Sequence, residues 1–593
     1  MLATLTPWDY LVVLVMMLIS TGIGVFFAVR SRKGQTSNDY FLGNRNMSVI
    51  PVSLSLAATV MSAITYLGTP AEVYIYGPKI GLLCASRTVG SIVVMFALIP
   101  VFYRLKITTV YEYLAMRFNN TLRFLVIAMK FFHDFLYMGI VIYAPALALS
   151  TVTQLNLTFA ILTVGVVCTF YTSIGGIKAV IWTDVFQVAI IMVIGSTIMI
   201  VIGTVRVGGL GESWRRAAEG GRTELVDFNF DPTVRISFWS VMIGGSMLAI
   251  YTAGIKQSLV QRYNSCRNER EAKIACFLGI LGMGIIQLLA LAAGMAAYSY
   301  YSTCDPLTSG KIDRPDQILP YFMMDVFYQY PGMPGILIGG AFCASLSSLS
   351  SVLNAVAAAI GQDIVKTIWP NMSDKKYTIT VKFISAVCGV FTIVLAFIAS
   401  ALGDVLQTTI SISGAVGGPI LGVFLLGIFF PRGNSKGAIT GLLSGLAAGL
   451  TVYIGSMVNP SVLPRPPLST EGCSQSINVT MFPPNYMWTG NLSDIPSSTH
   501  TNFVSSLDST VPNGQVSLSG SSIFNLSYLY LSAVTSLITV IIGITVSVLT
   551  TLKKPTRVNP QFLAPVVRKY FANDEDETRN SLNSNEYLAL KKV

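Results

Sequence analysis

The sequence predicts an all-α, polytopic membrane protein with thirteen spans. Three observations carry that prediction. Of 593 residues, 52% are hydrophobic and only 11% are charged, whereas soluble domains average about 25% charged. The apolar residues are gathered into runs long enough for a bilayer, which takes about 20 residues per helix. The short segments between runs are basic on alternate sides, the positive-inside pattern of a chain that crosses repeatedly. The excess of 39 Lys and Arg over 28 Asp and Glu therefore belongs to membrane topology and not to a polyanion-binding surface.

The runs fall at roughly 9–29, 48–76, 80–103, 122–150, 156–174, 179–204, 237–260, 274–301, 335–364, 378–401, 405–430, 437–457 and 526–551. The first lacks a basic stretch before it and is followed by Arg30, Arg32 and Lys33, so it reads as a retained span with the N-terminus outside. An odd number of spans then puts the C-terminus inside. In that orientation the inside loops carry Arg45, Arg104, Lys106, Arg117, Lys178, Arg262, Arg267, Lys366, Arg432 and Lys553 among others. The loop 458–525 has Arg465 as its one basic residue and holds the sequons Asn478-Val479-Thr480 and Asn491-Leu492-Ser493, so glycosylation chemistry agrees that it lies outside. Sequons at Asn46, Asn119 and Asn371 fall inside and should be silent. The segment 205–236 mixes both charges and reads as a small external element. Residues 552–593 are polar, with an acidic run at Asp574–Glu577, and read as a flexible cytoplasmic tail.

Five of eight cysteines (Cys84, Cys168, Cys276, Cys343, Cys388) sit inside apolar runs as small hydrophobes. Cys304 and Cys473 fall in external loops and could form one disulfide. No CxxC spacing occurs and the chain has two histidines, which argues against a Cys/His metal centre. No nucleotide-binding motif suggests an ATP-driven pump.

Two kinds of feature point to chemistry. Irregular backbone in a membrane helix is tolerated only where it lines a cavity or is buried in protein. The second span is interrupted by Gly68-Thr69-Pro70 and carries Ser55, Thr59, Ser62 and Thr65; the seventh has Gly244-Gly245 and Ala253-Gly254. Facing them in composition is Ala341–Asp363, an apolar helix with five serines, in which Ala344, Ser348, Ser351 and Ala355 share one face. That face could be a packing seam of small residues or the wall of a cation site. Ionisable residues inside spans are the second kind, because each is costly unless paired or wet. Asp184 with Gln187, Arg87, His133, Asp134 and Lys256 all qualify, with Arg87 and Lys256 near enough to span ends to snorkel.

The stretches LSLAATVMSAITYLGTPAEVYIYG, IPVFYRLKITTVYEYLAMRFN, YMGIVIYAPALAL, CTFYTSIGGIKAVIWTDVFQ, LVQRY and LSSLSSVLNAVAAAIGQD resemble the sodium:solute symporters, and most of all the branch of iodide, monocarboxylate and multivitamin transporters. The resemblance runs from about Trp8 to Thr551 and leaves out the loop 458–525 and the tail. It implies a LeuT-like core of two inverted five-helix repeats, 48–204 and 237–430, preceded by the helix 9–29, followed by 437–457 and 526–551, and working by alternating access. It also implies a Na+ site at Ala58, Met61, Ala344, Ser347 and Ser348, and a second Na+ site around Ser62, Asp184, Gln187 and Gln257. The expected substrate pocket comprises Thr65, Cys84, Arg87, Tyr137, Ala249, Leu406 and Ile410. Several positions in and around it depart from the relatives: Thr65 stands where the iodide transporter has a glutamine, Ala249 where the branch has an aromatic, Arg87 replaces a polar or aromatic residue, and Asp134 and Lys256 replace uncharged ones. Arg87 either forks a substrate carboxylate or pairs internally with Asp134. The implied activity is sodium-coupled symport of a small organic anion, a monocarboxylate such as lactate, pyruvate, a short-chain fatty acid or nicotinate, at the plasma membrane. The alternatives are transport of biotin, pantothenate or lipoate, for which Ala249 would widen the pocket, and a non-accumulating sodium-gated sensor or channel-like protein. No enzymatic step, nucleic-acid partner or cofactor beyond Na+ as coupling ion is expected.

Overall fold

A computed structural model of the chain describes residues 5–30, 41–153, 156–187, 193–399, 405–458, 465–473, 523–550 and 558–569. The sequons at Asn478 and Asn491 and the acidic run of the tail lie outside the described residues. The helices are α1 (Pro7–Arg30), α2 (Val49–Val60), α3 (Ala63–Tyr76), α4 (Leu83–Val93), α5 (Ile99–Leu105), α6 (Val110–Arg117), α7 (Asn120–Thr153), α8 (Leu157–Phe186), α9 (Ser196–Val207) and α10 (Leu210–Glu219). They continue with α11 (Ser246–Gly254), α12 (Gln257–Asn264), α13 (Glu269–Tyr300), α14 (Ile318–Phe327), α15 (Met333–Ala359), α16 (Asp374–Ala399), α17 (Val405–Ile412), α18 (Gly418–Phe429), α19 (Ser435–Val458) and α20 (Leu531–Thr550). Among the described residues, nine helices are long and apolar enough to cross a bilayer, or up to eleven if two bent pairs each count as one span. The expected boundary between spans at 174–179 is not an interruption: helical backbone continues through α8.

The first bent pair, α2 and α3, turns by 55°. Its break lies at Met61–Ser62, ahead of the Gly68-Thr69-Pro70 that the sequence marks. Pro70 stays inside α3. Its carbonyl packs where a Cβ on Gly294 of α13 would stand, 2.7 Å away, so the helix there is held by a close neighbour. Gly68 serves packing as well, since a Cβ there would come within 3.0 Å of Leu406. Ser62 makes the break by adopting extended φ/ψ (−76°, 172°) and accepting the Thr65 and Tyr66 N–H groups (3.0 Å each) at the start of α3.

A second break separates α11 from α12 at Ile255–Lys256, directly after Gly254. A Cβ on Gly254 would meet Leu98 at 2.6 Å. Gly244-Gly245 lies earlier, in a π-turn spanning Ser240–Gly245.

Two buried apolar clusters flank these breaks, one built around α3, α7, α14, α15 and α17, the other around the turn 94–98, α5, α6, α11, α12 and α18. At one end of the bundle the buried Arg222 donates to Tyr74 O (2.7 Å), Pro466 O (3.2 Å) and Pro467 O (3.1 Å). Nearby, Cys304 and Cys473 are disulfide-bonded with Cα atoms 4.9 Å apart. These contacts strap the segments after α10 and α19 across the ends of α3 and α13. At the other end Arg117 donates to Gly427 O and Gly433 O (3.1 Å each), satisfying carbonyls at the C-terminus of α18.

Candidate functional site

The two helix breaks and the serine helix α15 converge in the core. Opening the helix at Met61–Ser62 frees two carbonyls. The Ser62 N–H bonds to Val60 O (3.1 Å) in place of Ala58 O, and the Thr65 N–H bonds to Ser62 O in place of Met61 O. Ala58 and Met61 are fully buried, as is Ala344, and all three belong to the same apolar cluster. On α15 the five hydroxyls divide by task. Ser345 donates to Val141 O of α7 (2.7 Å), while Ser350 and Ser351 turn back to Ser347 O (3.1 and 2.6 Å). Ser347 donates to Asp184 Oδ1 (2.6 Å). Ser348 Oγ is buried and makes no hydrogen bond of standard geometry among the described residues; a weaker interaction links it to the Tyr137 phenol, which also faces Ser62. A buried hydroxyl that lacks a well-formed hydrogen bond costs up to about 1–3 kcal/mol, so this oxygen has capacity left for a further ligand.

Asp184 is fully buried on α8 and its two oxygens are committed. Besides Ser347, it accepts from Ser55 Oγ (2.6 Å) and Arg262 Nη2 (2.9 Å). Arg262 continues the network to Ser351 Oγ (2.6 Å) and Ser55 Oγ (2.7 Å), and Thr59 Oγ1 lies 3.3 Å from Ser351 Oγ. The charge pattern assigns Arg262 to an inside loop; in the fold it is 1% exposed. The signal that marks it is its place one helical turn beyond Ser258 in LVQRY, on a helix packed against α2 and α15.

The second group of expected Na+ ligands is not gathered. Gln257 spends both ends of its amide at the start of α6, accepting from Val110 N (2.9 Å) and donating to Thr108 O just before it (2.9 Å). Gln187 Nε2 donates to Ser20 of α1 (3.3 Å). Ser62 lies at the helix break, and Asp184 is saturated by hydroxyls and a guanidinium.

The pocket residues also divide. Tyr137, Leu406 and Ile410 share the apolar cluster of the α2–α3 break, and Thr65 is buried in the first turn of α3. Ala249 faces Gly90 of α4, where an added Cβ would lie 2.6 Å from its methyl. It closes a helix crossing and opens no space. Cys84 and Arg87 lie on α4, and the Arg87 guanidinium donates to Gln287 Oε1 of α13 (2.9 Å).

The internal pair of Arg87 with Asp134 is not formed. Asp134 accepts instead from Lys130, one turn earlier on α7, and from His133 Nδ1 (3.1 Å), whose other nitrogen lies 3.1 Å from Ser413 Oγ. Lys130 supplies the closer cation along the same helix face. Lys256 does not snorkel; its Nζ rests 4.0 Å from the centroid of the Tyr137 ring. Among the described residues no group of three or more His, Cys, Asp or Glu could hold a metal ion.

The chain matches the sodium:solute symporter family over residues 40–445. It is 40% identical over 564 residues to sodium-coupled monocarboxylate transporter 2 of Mus musculus, covering 94% of this chain and 86% of that protein. It is 41% identical over 568 residues to sodium-coupled monocarboxylate transporter 1 of Xenopus laevis (95% and 88%), and 37% identical over 566 residues to the human sodium/iodide cotransporter (94% and 86%). A Na+-coupled sialic acid symporter, solved substrate-bound and outward-open, superimposes with a TM-score of 0.72 at 23% identity, covering 93% of this chain and all of that one.

Proposed function

The chain belongs to the sodium:solute symporter family, and from that premise we propose that it carries a small monocarboxylate, of the size of lactate, pyruvate, a short-chain fatty acid or nicotinate, into the cell together with Na+. It is a multi-pass membrane transporter and not an enzyme, with Na+ as its coupling ion. The relatives named for monocarboxylate transport support the substrate class.

The observation that carries the reading is the buried Ser348 hydroxyl, which makes no hydrogen bond of standard geometry among the described residues and shares the Tyr137 phenol with Ser62 at the helix break. Na+ is a hard cation that takes neutral oxygens, and unwound backbone carbonyls suit it. The carbonyls of Ala58, Met61 and Ala344 with the hydroxyls of Ser347 and Ser348 are its proposed ligands. Ser347 donates its hydroxyl hydrogen bond to Asp184, which turns its lone pairs away from that carboxylate and toward a cation. Asp184 then orients a ligand and does not bind Na+ itself. Thr65, Tyr137, Leu406 and Ile410 are the proposed walls for the substrate, next to the same broken helix, so that one helix answers to both solutes.

Thirteen spans with the N-terminus outside, two inverted repeats rocking for alternating access, glycans at Asn478 and Asn491, and residence in the plasma membrane complete the proposal. The breaks after Val60 and Gly254 support the repeat, each falling in the first span of its half. If two Na+ enter per monoanion, each cycle moves one net charge inward and gains about 2.3 kcal/mol per 100 mV. Uptake of labelled lactate, nicotinate and biotin in sodium and in choline tests the reading. Sodium-dependent accumulation of the first two with inward current is expected; equal uptake in choline overturns the coupling, and selective biotin uptake overturns the substrate class.

A further inference from the structure

Lys256 stands at the second helix break and is 8% exposed. Among the described residues its ammonium has no ion-pair partner. Asp134, the carboxylate facing it from α7, is bonded through Oδ1 by Lys130 and His133 and forms no ion pair with Lys256. The cluster thus holds two lysines against one carboxylate. What Lys256 does meet is the face of the Tyr137 ring, 4.0 Å from Nζ to the centroid. A ring face attracts an ammonium less than the loss of water disfavours it, so the core retains a cation that calls for an anion.

Two further observations say where that anion would sit. Tyr137 is shared: its phenol faces Ser62 and Ser348, the hydroxyls at the proposed Na+ site. Lys256 is also the N-cap of α12: its carbonyl accepts the N–H groups of Leu259 (3.0 Å) and Val260 (3.1 Å), and the N–H groups of Gln257 and Ser258 before them have no helical acceptor. Arg87, by contrast, is directed at the neutral Gln287 of α13.

We infer that Lys256 receives the carboxylate of the transported anion, over the Tyr137 ring and next to the Na+ site. The inference rests on the anion-symport reading above. Held between Lys256 and Na+, the carboxylate makes each solute raise the affinity for the other, because Na+ supplies the second positive charge.

The test compares wild type, Lys256→Gln, Lys256→Arg and Lys256→Cys in membrane vesicles, so that trafficking does not enter. Sodium-dependent nicotinate uptake is measured with nicotinamide as the uncharged competitor. Lys256→Gln should raise the nicotinate KM about 10- to 100-fold, as loss of a charged hydrogen bond does, and lower the preference for nicotinate over nicotinamide by the same factor. Lys256→Arg should keep most of that preference. Lys256→Cys should lose it and regain it when 2-aminoethyl methanethiosulfonate restores an ammonium. Should Lys256→Gln not fold, the Cys variant before and after modification decides. An unchanged KM and preference overturn the assignment, as does an unchanged KM with one more Na+ per anion, which would make Lys256 a stand-in for sodium. A wild type with no sodium-dependent uptake of nicotinate or lactate overturns the anion-symport reading itself and this inference with it.

Discussion

Ser347 Oγ donates to Asp184 Oδ1 at 2.6 Å, joining the serine helix α15 to α8. The other oxygen of the same carboxylate accepts from Ser55 on α2 and Arg262 on α12, so one buried anion ties both broken helices to the helix that faces them. Replacing Asp184 with Asn leaves Arg262 charged and unanswered at 1% exposure, and breaking a buried pair in this way costs about 3–5 kcal/mol. Asp184→Asn should lower the melting temperature and raise the sodium concentration for half-maximal uptake. Adding Arg262→Met should recover stability without recovering sodium affinity. A double variant with normal sodium dependence would show that the carboxylate only neutralises Arg262.

Glu72 and Arg235 form a two-pronged ion pair (2.7 and 2.8 Å) that Gln407 of α17 extends at 2.7 Å, with the guanidinium 4.1 Å from the Tyr76 ring centroid. The pair spans from α3 to the segment before α11, at the end of the bundle that the charge pattern puts outside. Glu72→Gln should loosen this contact between the two segments. A cysteine placed at Thr65 should then react several-fold faster with an impermeant thiol reagent added outside, and turnover should fall.

Gly90 and Ala249 meet where α4 crosses α11, and a Cβ on Gly90 would also come within 2.8 Å of Ser246 O. Overpacking a tight crossing costs about 1–3 kcal/mol. Gly90→Ala and Ala249→Phe should both reduce thermal stability and transport of every substrate alike. A selective loss of large anions in Ala249→Phe would return that residue to the pocket wall.

The serine helix is legible in the sequence because an apolar run that carries five hydroxyls must either pack closely or hold a polar ligand. The break in the second span is legible as an event but not in place: Gly68 and Pro70 draw the eye, yet they serve the crossings with Leu406 and Gly294, while Met61 and Ser62 look ordinary. Arg262 is hidden among the basic residues of a loop, since composition cannot tell a buried guanidinium from a solvated one. Gln257 joins the expected Na+ ligands by resemblance, which transfers a position without the direction its amide takes toward Thr108 and Val110. Lys130 is easily passed over although its spacing of four from Asp134 is the simplest salt-bridge pattern on a helix.

The sodium dependence of uptake in Ser348→Ala beside Ser345→Ala tests the proposed Na+ site most directly. Both changes remove one buried hydroxyl from the same helix, but Ser345 is spent on Val141 O, whereas Ser348 makes no hydrogen bond of standard geometry among the described residues. Ser348→Ala should raise the half-saturating sodium concentration about tenfold, the worth of one good ligand at about 1.4 kcal/mol, and Ser345→Ala should leave it where it is. An unchanged sodium dependence in Ser348→Ala would contradict the site and return the stripe to helix packing.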